Sequence, residues 1–332
     1  MITIARLAAQ DRADLFDIAA ASMGVRPAII EKDFWVCYLL DYLFARSELK
    51  DRIIFKGGTS LSKCYGLIER FSEDVDLILD WRALGYGLME PWEERSHSKQ
   101  SAFKEESIER TNRYLNEVFI PLIGQGISEE LGFKAGLSPA KEEETVIFSY
   151  PRYYHSAGVQ DVSRLEIGPL AAWSPSENVQ ISSYLSQQIP NVMSKPIFEV
   201  NTVRPERTFW EKAAILHQEA NRPDSKMMPA RYSRHYYDVY QLGKSWVKQE
   251  AIKNIELLHK VVLFKEKFYR TPWSRLPEAM HSALKLVPPQ YRHTELKKDY
   301  DAMKDMLMGD APSMQDIMVF LAELEQEINR MF

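Results

Sequence analysis

Phe55-Lys56-Gly57-Gly58-Thr59-Ser60-Leu61-Ser62-Lys63, followed after a short spacer by Phe71-Ser72-Glu73-Asp74-Val75-Asp76-Leu77-Ile78-Leu79, is the stretch on which the reading of the fold turns. Arg52-Ile53-Ile54-Phe55 has strand composition and runs into two glycines, after which the pattern turns helical. Gly57 and Gly58 carry no Cβ, so the backbone there is able to approach a ligand closely. A helix start bearing the Thr59 and Ser60 hydroxyls offers N–H groups and a partial positive charge to a phosphate. The second segment reads as another strand. Residues two apart share a face of a strand, so Asp74 and Asp76 point one way while Val75 and Leu77 point into the fold. Two such carboxylates repel unless a cation lies between them, and oxygen ligands of this kind suit a hard ion such as Mg2+. A phosphate-cradling turn beside a dicarboxylate strand is the equipment of metal-assisted nucleotidyl transfer. Each half alone has an ordinary reading, a turn for the glycines and a solvated surface for the acids. Their conjunction in one supersecondary unit is more specific than either.

Upstream, residues 1–24 read as a capped helix ending at Gly24, and Pro27 opens a second helix with Ile30, Phe34, Leu39, Leu40 and Leu43 at helical spacing. Glu31-Lys32-Asp33 inside it reads as a solvated face. Downstream, residues 81–143 read as an insertion: a charged run from Glu93 to Arg113, one long helix with Ile108, Leu115, Val118, Phe119 and Leu122 on one side, and a polar loop from Ser128 to Glu144. Strands are expected at Thr145–Tyr150 and Arg164–Ile167. Alternation puts Arg164 and Glu166 together on one face. Glu166 is there either a third carboxylate, ligating metal or taking a proton from an attacking hydroxyl, or half of a surface Arg/Glu face. Pro196–Val203 is the last clear strand. Pro205 then starts a helix on which Thr208 and Lys212 share a face; a helical lysine is most often solvated, and His217 reads as a core or surface histidine.

Residues 221–235 form a basic loop with Arg222, Lys226, Arg231 and Arg234, broken by Pro223 and Pro229. Concentrated arginines suit a triphosphate or an RNA backbone. Tyr236, Tyr237 and Tyr240 on the next helix suit base stacking or, more often, a core. Residues 250–332 are helical; Ser313 and Asp316 read as a capping pair, and Ile317, Phe320, Leu321, Leu324 and Ile328 as a packing stripe.

The 332 residues suffice for two domains, and 45% apolar with 27% charged residues is ordinary for a globular protein. No apolar run has the length of a membrane span, and no signal peptide is read at the N-terminus. Only two cysteines, Cys37 and Cys64, sit in the chain, which argues against a disulfide framework or zinc site and fits a cytoplasmic, reducing home. A net charge of −5 leaves room for a local basic patch but not for a broad nucleic-acid-coating surface.

The Gly-Gly-Thr-Ser-Leu-Ser-Lys and Arg-Phe-Ser-Glu-Asp-Val-Asp-Leu segments resemble the AbiEii/AbiGii toxin family, the toxin half of type IV toxin–antitoxin and phage-defence systems, within the polymerase-β-type nucleotidyltransferase superfamily. Three further segments are similar to that family in order along nearly the whole chain. Arg164 and Glu166 replace the lysine and aspartate of a Lys-x-Asp-Ile motif. Thr208 with Glu211-Lys212 matches a third motif, which implies that Lys212 meets nucleotide phosphates. Arg231, Arg234, Tyr237 and Asp238 align with a fourth, in which His235 stands where an aspartate is common. Glu31-Lys32-Asp33 before Phe34-Trp35 also resembles the family, without implying a role.

The fold implied is bilobal α/β (α+β): a small mixed sheet flanked by helices in a nucleotidyltransferase lobe over residues 1–203, and a helical C-terminal lobe over 204–332, with the active site expected in the cleft between them. The resemblance implies a nucleotidyltransferase that moves NMP from an NTP to an acceptor hydroxyl, on tRNA in some members. Asp74, Asp76 and Glu166 would hold Mg2+, with Lys212 beside them in catalysis. Gly57, Gly58, Thr59, Ser60, Lys63, Arg231, Arg234 and Asp238 would bind the nucleotide, and a cognate antitoxin would be the partner. The alternatives are a protein or small-molecule acceptor, or a module that senses nucleotide without turnover.

Overall fold

The structure is a computed structural model; it describes residues 1–331 apart from 135, 157–158 and 172–174, and at 305 the backbone alone. The chain divides into two compact units, Met1–Cys64 with Ser72–Thr202, and Tyr65–Phe71 with Val203–Phe332. The sequence reading divides the chain at 203/204 only. The structure moves Tyr65–Phe71 to the second unit because that segment pairs with a distant one. The Phe71 N–H donates to the Met306 carbonyl at 2.7 Å, the Met308 N–H to the Glu69 carbonyl at 2.7 Å, and Arg70 bridges Leu307.

The first unit begins with helices α1 (Ile2–Ala5), α2 (Ala9–Met23) and α3 (Pro27–Asp41). Gly24 ends α2 in the left-handed conformation, with φ of 66°, and Pro27 occupies the first turn of α3 where its missing N–H costs nothing. Strand β1 (Ile53–Lys56) runs directly into α4 (Gly57–Lys63), and β2 (Val75–Leu79) follows. Then come α5 (His97–Tyr114), α6 (Ile120–Leu131), β3 (Gly136–Pro139), β4 (Thr145–Ser149), β5 (Ser163–Gly168), β6 (Ser176–Ser182), α7 (Tyr184–Gln188) and β7 (Ile197–Val203). The single long helix expected in the insertion is instead α5 and α6 joined through a π-helical turn at Leu115–Phe119. Pro121, which has no N–H to donate, lies at the start of α6 and explains the altered hydrogen-bond pattern before it.

The seven strands form one mixed sheet in the order β3-β4-β5-β2-β1-β7-β6. Within it β1 is antiparallel to β2 and parallel to β7, β2 is parallel to β5, and β3, β4 and β5 are successively antiparallel. Sequence patterning leaves out β3 and β6, the two edge strands. Gly136 and Pro139 weaken the strand signal of β3, and Ser176-Glu177-Asn178 opens β6 with polar residues; edges tolerate both because one side needs no partner.

One face of this sheet is core. Phe55, Val75, Leu77, Leu165, Ile167, Val146 and Phe148 are buried with Phe16, Phe34, Trp35 and Leu39 of the N-terminal helices and with Phe119, Ile123 and Ile127. Each fully buried side chain of this size contributes on the order of 2 kcal/mol. The strand period of two assigns the intervening residues, Lys56, Asp76, Arg164 and Glu166, to the opposite face.

The second unit packs α8 (Pro205–Ala220) against α9 (Ser233–Lys244), α10 (Val247–Lys253) and α11 (Glu256–Phe268), and completes itself with α12 (His293–Met303) and α13 (Met314–Asn329). Trp210 is fully buried and its indole N–H donates to the Ala251 carbonyl at 3.2 Å. His217 is a core histidine: Nε2 donates to the Arg275 carbonyl at 3.0 Å, and Nδ1 accepts from the Lys285 N–H at 3.0 Å. The capping pair forms as expected, with Ser313 Oγ accepting from the Asp316 N–H at 3.1 Å and Asp316 Oδ2 from the Ser313 N–H at 3.2 Å.

Candidate active site

β2 places Asp76 opposite Glu166 of β5 and opposite Lys56 of β1. Paired residues of adjacent strands present their side chains on one face, so two acids and a lysine stand side by side away from the core. Gly57 closes this row. Its φ is +82°, and a Cβ there would lie 2.6 Å from Asp76 Cγ and 2.9 Å from Asp76 Cβ. Only glycine has both the conformation and the space, so the α4 backbone lies directly against the Asp76 carboxylate. Asp74 stands just before β2; its Oδ1 is buried without a hydrogen-bond partner. A buried carboxylate oxygen in that condition is costly unless a ligand meets it.

The α4 side chains are used differently from the sequence reading. The Thr59 hydroxyl is buried and donates to the Asp74 carbonyl, with Ser72 Oγ 2.9 Å away. Ser60 is fully buried and its hydroxyl donates to the Gly57 carbonyl at 2.9 Å. Lys63 is turned from any phosphate: its side chain is 5% exposed, forms an ion pair with Asp33, and lies 3.8 Å from the centre of the Tyr184 ring. Burial by itself would lower the pKa of this ammonium; the Asp33 carboxylate outweighs it and raises the pKa.

The solvated face expected at Glu31-Lys32-Asp33 is buried instead. Glu31 accepts the backbone N–H groups of Tyr153 at 2.7 Å and Tyr154 at 2.9 Å. Asp33 accepts from the Tyr184 N–H at 2.6 Å as well as pairing with Lys63. Lys32 lies 3.7 Å from Glu73 and donates to the carbonyls of Gln160 and Val162. Burial pushes its ammonium down to about 8, with Glu73 opposing the fall. Charge alone marks such a triplet as surface; partners contributed by remote segments are what let it sit inside, and no local pattern contains them.

In the second unit Asp238 is the hub. It is fully buried and accepts from Arg70 Nε at 2.7 Å and Arg70 Nη2 at 2.9 Å, and Lys212 Nζ lies 2.8 Å from its Oδ2. Burial alone would raise this carboxyl, but the two cations hold it far below the usual carboxylate range. Both Asp238 oxygens are thus occupied within the chain, so its place is to hold cations rather than to touch a nucleotide. Two cations on one anion leave a net positive cluster. Glu73 is the acid nearest Arg70 in sequence, yet the guanidinium bonds Asp238, 168 residues away. His235 is buried and held neutral, first by burial and then by the charges of Lys212 and Arg234.

The basic loop is no continuous patch. Arg222 is held by Glu219 at 2.6 Å and lies over the Trp273 ring. Arg231 adopts φ of 63°, its N–H donates to Asp299 Oδ1 at 2.6 Å, and its guanidinium reaches Met306 sulfur at 3.7 Å. Arg234 is half-buried on α9. Tyr236 and Tyr237 are core. The sequence offers Lys56 as a phosphate contact but favours a solvated lysine facing away; its register with Asp76 puts it on the acidic face.

Among the described residues no group of three or more His, Cys, Asp or Glu side chains is gathered to hold a metal ion. The three acids Asp74, Asp76 and Glu166 are therefore not a closed protein cage, and Glu166 is exposed. Mg2+ seldom asks for one; it takes one or two carboxylates, keeps waters and shares substrate phosphates. The orphaned Asp74 oxygen and the Asp76 carboxylate beside Gly57 fit that mode.

Over residues 38–323 the chain matches the family described as nucleotidyl transferase AbiEii toxin, type IV TA system. Among solved structures it is similar to MenT4, a nucleotidyltransferase toxin from Mycobacterium tuberculosis H37Rv, with 16% identity and a TM-score of 0.49 over 95% of this chain and 89% of that one. No curated protein matches the chain.

Proposed function

The chain belongs to the AbiEii nucleotidyltransferase toxin family of type IV toxin–antitoxin systems, and from that premise we propose that it transfers NMP from an NTP to an acceptor hydroxyl of tRNA, with Mg2+, in the cytoplasm and in phage defence. The observation that carries the chemistry is the register of Asp76 with Glu166, closed by Gly57. Asp74 and Asp76 would hold the metal. A divalent ion held by them would supply stabilisation of negative charge on the attacking and leaving oxygens. Glu166, exposed on the neighbouring strand, would take the proton of the acceptor hydroxyl or add a ligand; its register with Asp76 supports this. Gly57 and Gly58 give the backbone its close approach, while Thr59 and Ser60 shape the turn beneath it. Lys212 and Arg70, held by Asp238, are the cations assigned to phosphate, with Arg231 and Arg234 as lesser contributors. The family setting implies an antitoxin partner. No described helix is long and apolar enough to cross a membrane.

The test is transfer of label from each α-labelled NTP to total tRNA in Mg2+, wild type beside Asp76→Asn. Label on tRNA that the variant abolishes is the expected result, and its yield should fall steeply with salt if phosphate contacts hold the acceptor. Label on a protein or small molecule in place of tRNA would replace the acceptor. Nucleotide binding without transfer to any acceptor would overturn the enzymatic reading in favour of a sensor.

A further inference from the structure

Lys32 is buried, feels the charge of Asp74 as well as that of Glu73, and joins the two segments that deliver the site's acids. Its ammonium has three N–H donors and three acceptors around it: the Gln160 carbonyl at 3.2 Å, the Val162 carbonyl, and Glu73 Oε2 at 3.7 Å. Glu73 Oε2 in turn accepts the Gln160 N–H at 2.8 Å. Glu73 immediately precedes Asp74, and Val162 immediately precedes Ser163, the first residue of β5. The knot therefore lies where β2 and β5 begin, just ahead of their first paired residues, Val75 and Leu165. Lys32 side-chain exposure is 0% and that of Glu73 is 2%, so water does not substitute for either partner.

We propose that Lys32 is a positioning residue for nucleotidyl transfer, clamping the approach to β2 and the approach to β5 together so that Asp74 and Asp76 meet Glu166 in the reacting arrangement. The physical ground is the sensitivity of parallel pairing: the two strands come from distant parts of the chain, no hairpin sets their register, and a slip of one residue would send Glu166 to the core face. Backbone bonds along the strands hold the middle of the pair; the clamp holds its open end, where Asp74 has no strand partner in the ladder. Helix α3 supplies the anchor because it is packed against the core on its other sides, with Phe34 and Trp35 fully buried next to Lys32. Outer groups of this kind, which orient ligands without touching the reaction, typically carry 10- to 100-fold of activity.

This inference rests on the proposed nucleotidyl transfer, and its test separates the two. The variant is Lys32→Met/Glu73→Gln, which removes both charges of the pair and keeps an acceptor for the Gln160 N–H. Two readouts are taken: transfer kinetics with α-labelled NTP, and amide hydrogen exchange over residues 72–76 and 159–164. The clamp predicts kcat lower by about 10- to 100-fold, KM for NTP within about twofold, and faster exchange in both segments while the rest of the first unit exchanges as before. Exchange that rises in one segment only, or unchanged kcat in a folded variant, overturns it. If wild type transfers no label at all, the function fails on its own account, and coupled or uncoupled exchange still decides whether Lys32 joins the two segments. Should the variant not fold, Lys32→Arg carries the same measurements: a rigid planar fork replaces three independently directed donors, so exchange in both segments should rise and kcat fall severalfold, and wild-type values of both would overturn the clamp.

Discussion

The two units handle charge in opposite ways. On the open face of the first unit's sheet, strand register brings Asp76 opposite both Glu166 and Lys56, with Asp74 close in sequence and one of its oxygens buried and unpaired. In the second unit, Arg70 and Lys212 converge on the single carboxylate of Asp238. The first arrangement sets its acids on an open face beside one lysine; the second buries its acid between two cations. Two buried pairs of the first unit set one cation against one anion, Lys63 with Asp33 and Lys32 with Glu73.

The sharpest way to break this comparison is to neutralise one acid of the sheet. Asp76→Asn should lower transfer several-thousand-fold, on the order of 5 kcal/mol of transition-state stabilisation, with a melting temperature close to wild type because the side chain stands away from the core. A variant that melts lower would show that Asp76 is structural.

Asp238→Ala should do the reverse. It strands Arg70 and Lys212 and should cost about 3–5 kcal/mol of stability, read by denaturant unfolding. The same group sets an acid limit. Its folded pKa is depressed, so its contribution is fully present above the ordinary carboxylate value of about 4 and is lost as pH falls toward the lower folded value. Acid unfolding of Asp238→Asn should accordingly be less steep below pH 4 than that of wild type.

Gly57→Ala sharpens the first half of the comparison. The left-handed φ and the collision with Asp76 should together cost roughly 1–3 kcal/mol and, by displacing that carboxylate, about 100-fold in kcat. A stability loss with full kcat would mean that Asp76 has room to move without consequence.

The smallest effect is expected far from either charge cluster. Ser313→Ala removes the capping box of α13 and should cost about 1 kcal/mol with transfer unchanged.

Sequence by itself determined a good deal. Local patterns recorded the turn at Gly57, the alternation that separates Asp76 from Leu77, the proline start of α8, the Ser313 cap and the strands of the sheet centre, because each is a property of a few consecutive residues. The order of motifs along the chain carried the family. Tertiary structure alone decided which charges face one another. Asp33 takes Lys63 away from phosphate, Glu73 takes Lys32, and Asp238 takes Arg70 and Lys212. It also drew Tyr65–Phe71 into the second unit through pairing with residues 306–308. The physical reason is range. Helix and strand periodicity act over neighbouring residues, whereas an ion pair inside a protein is chosen by burial, which removes competing water and leaves a charge only the partners that the fold has brought within reach.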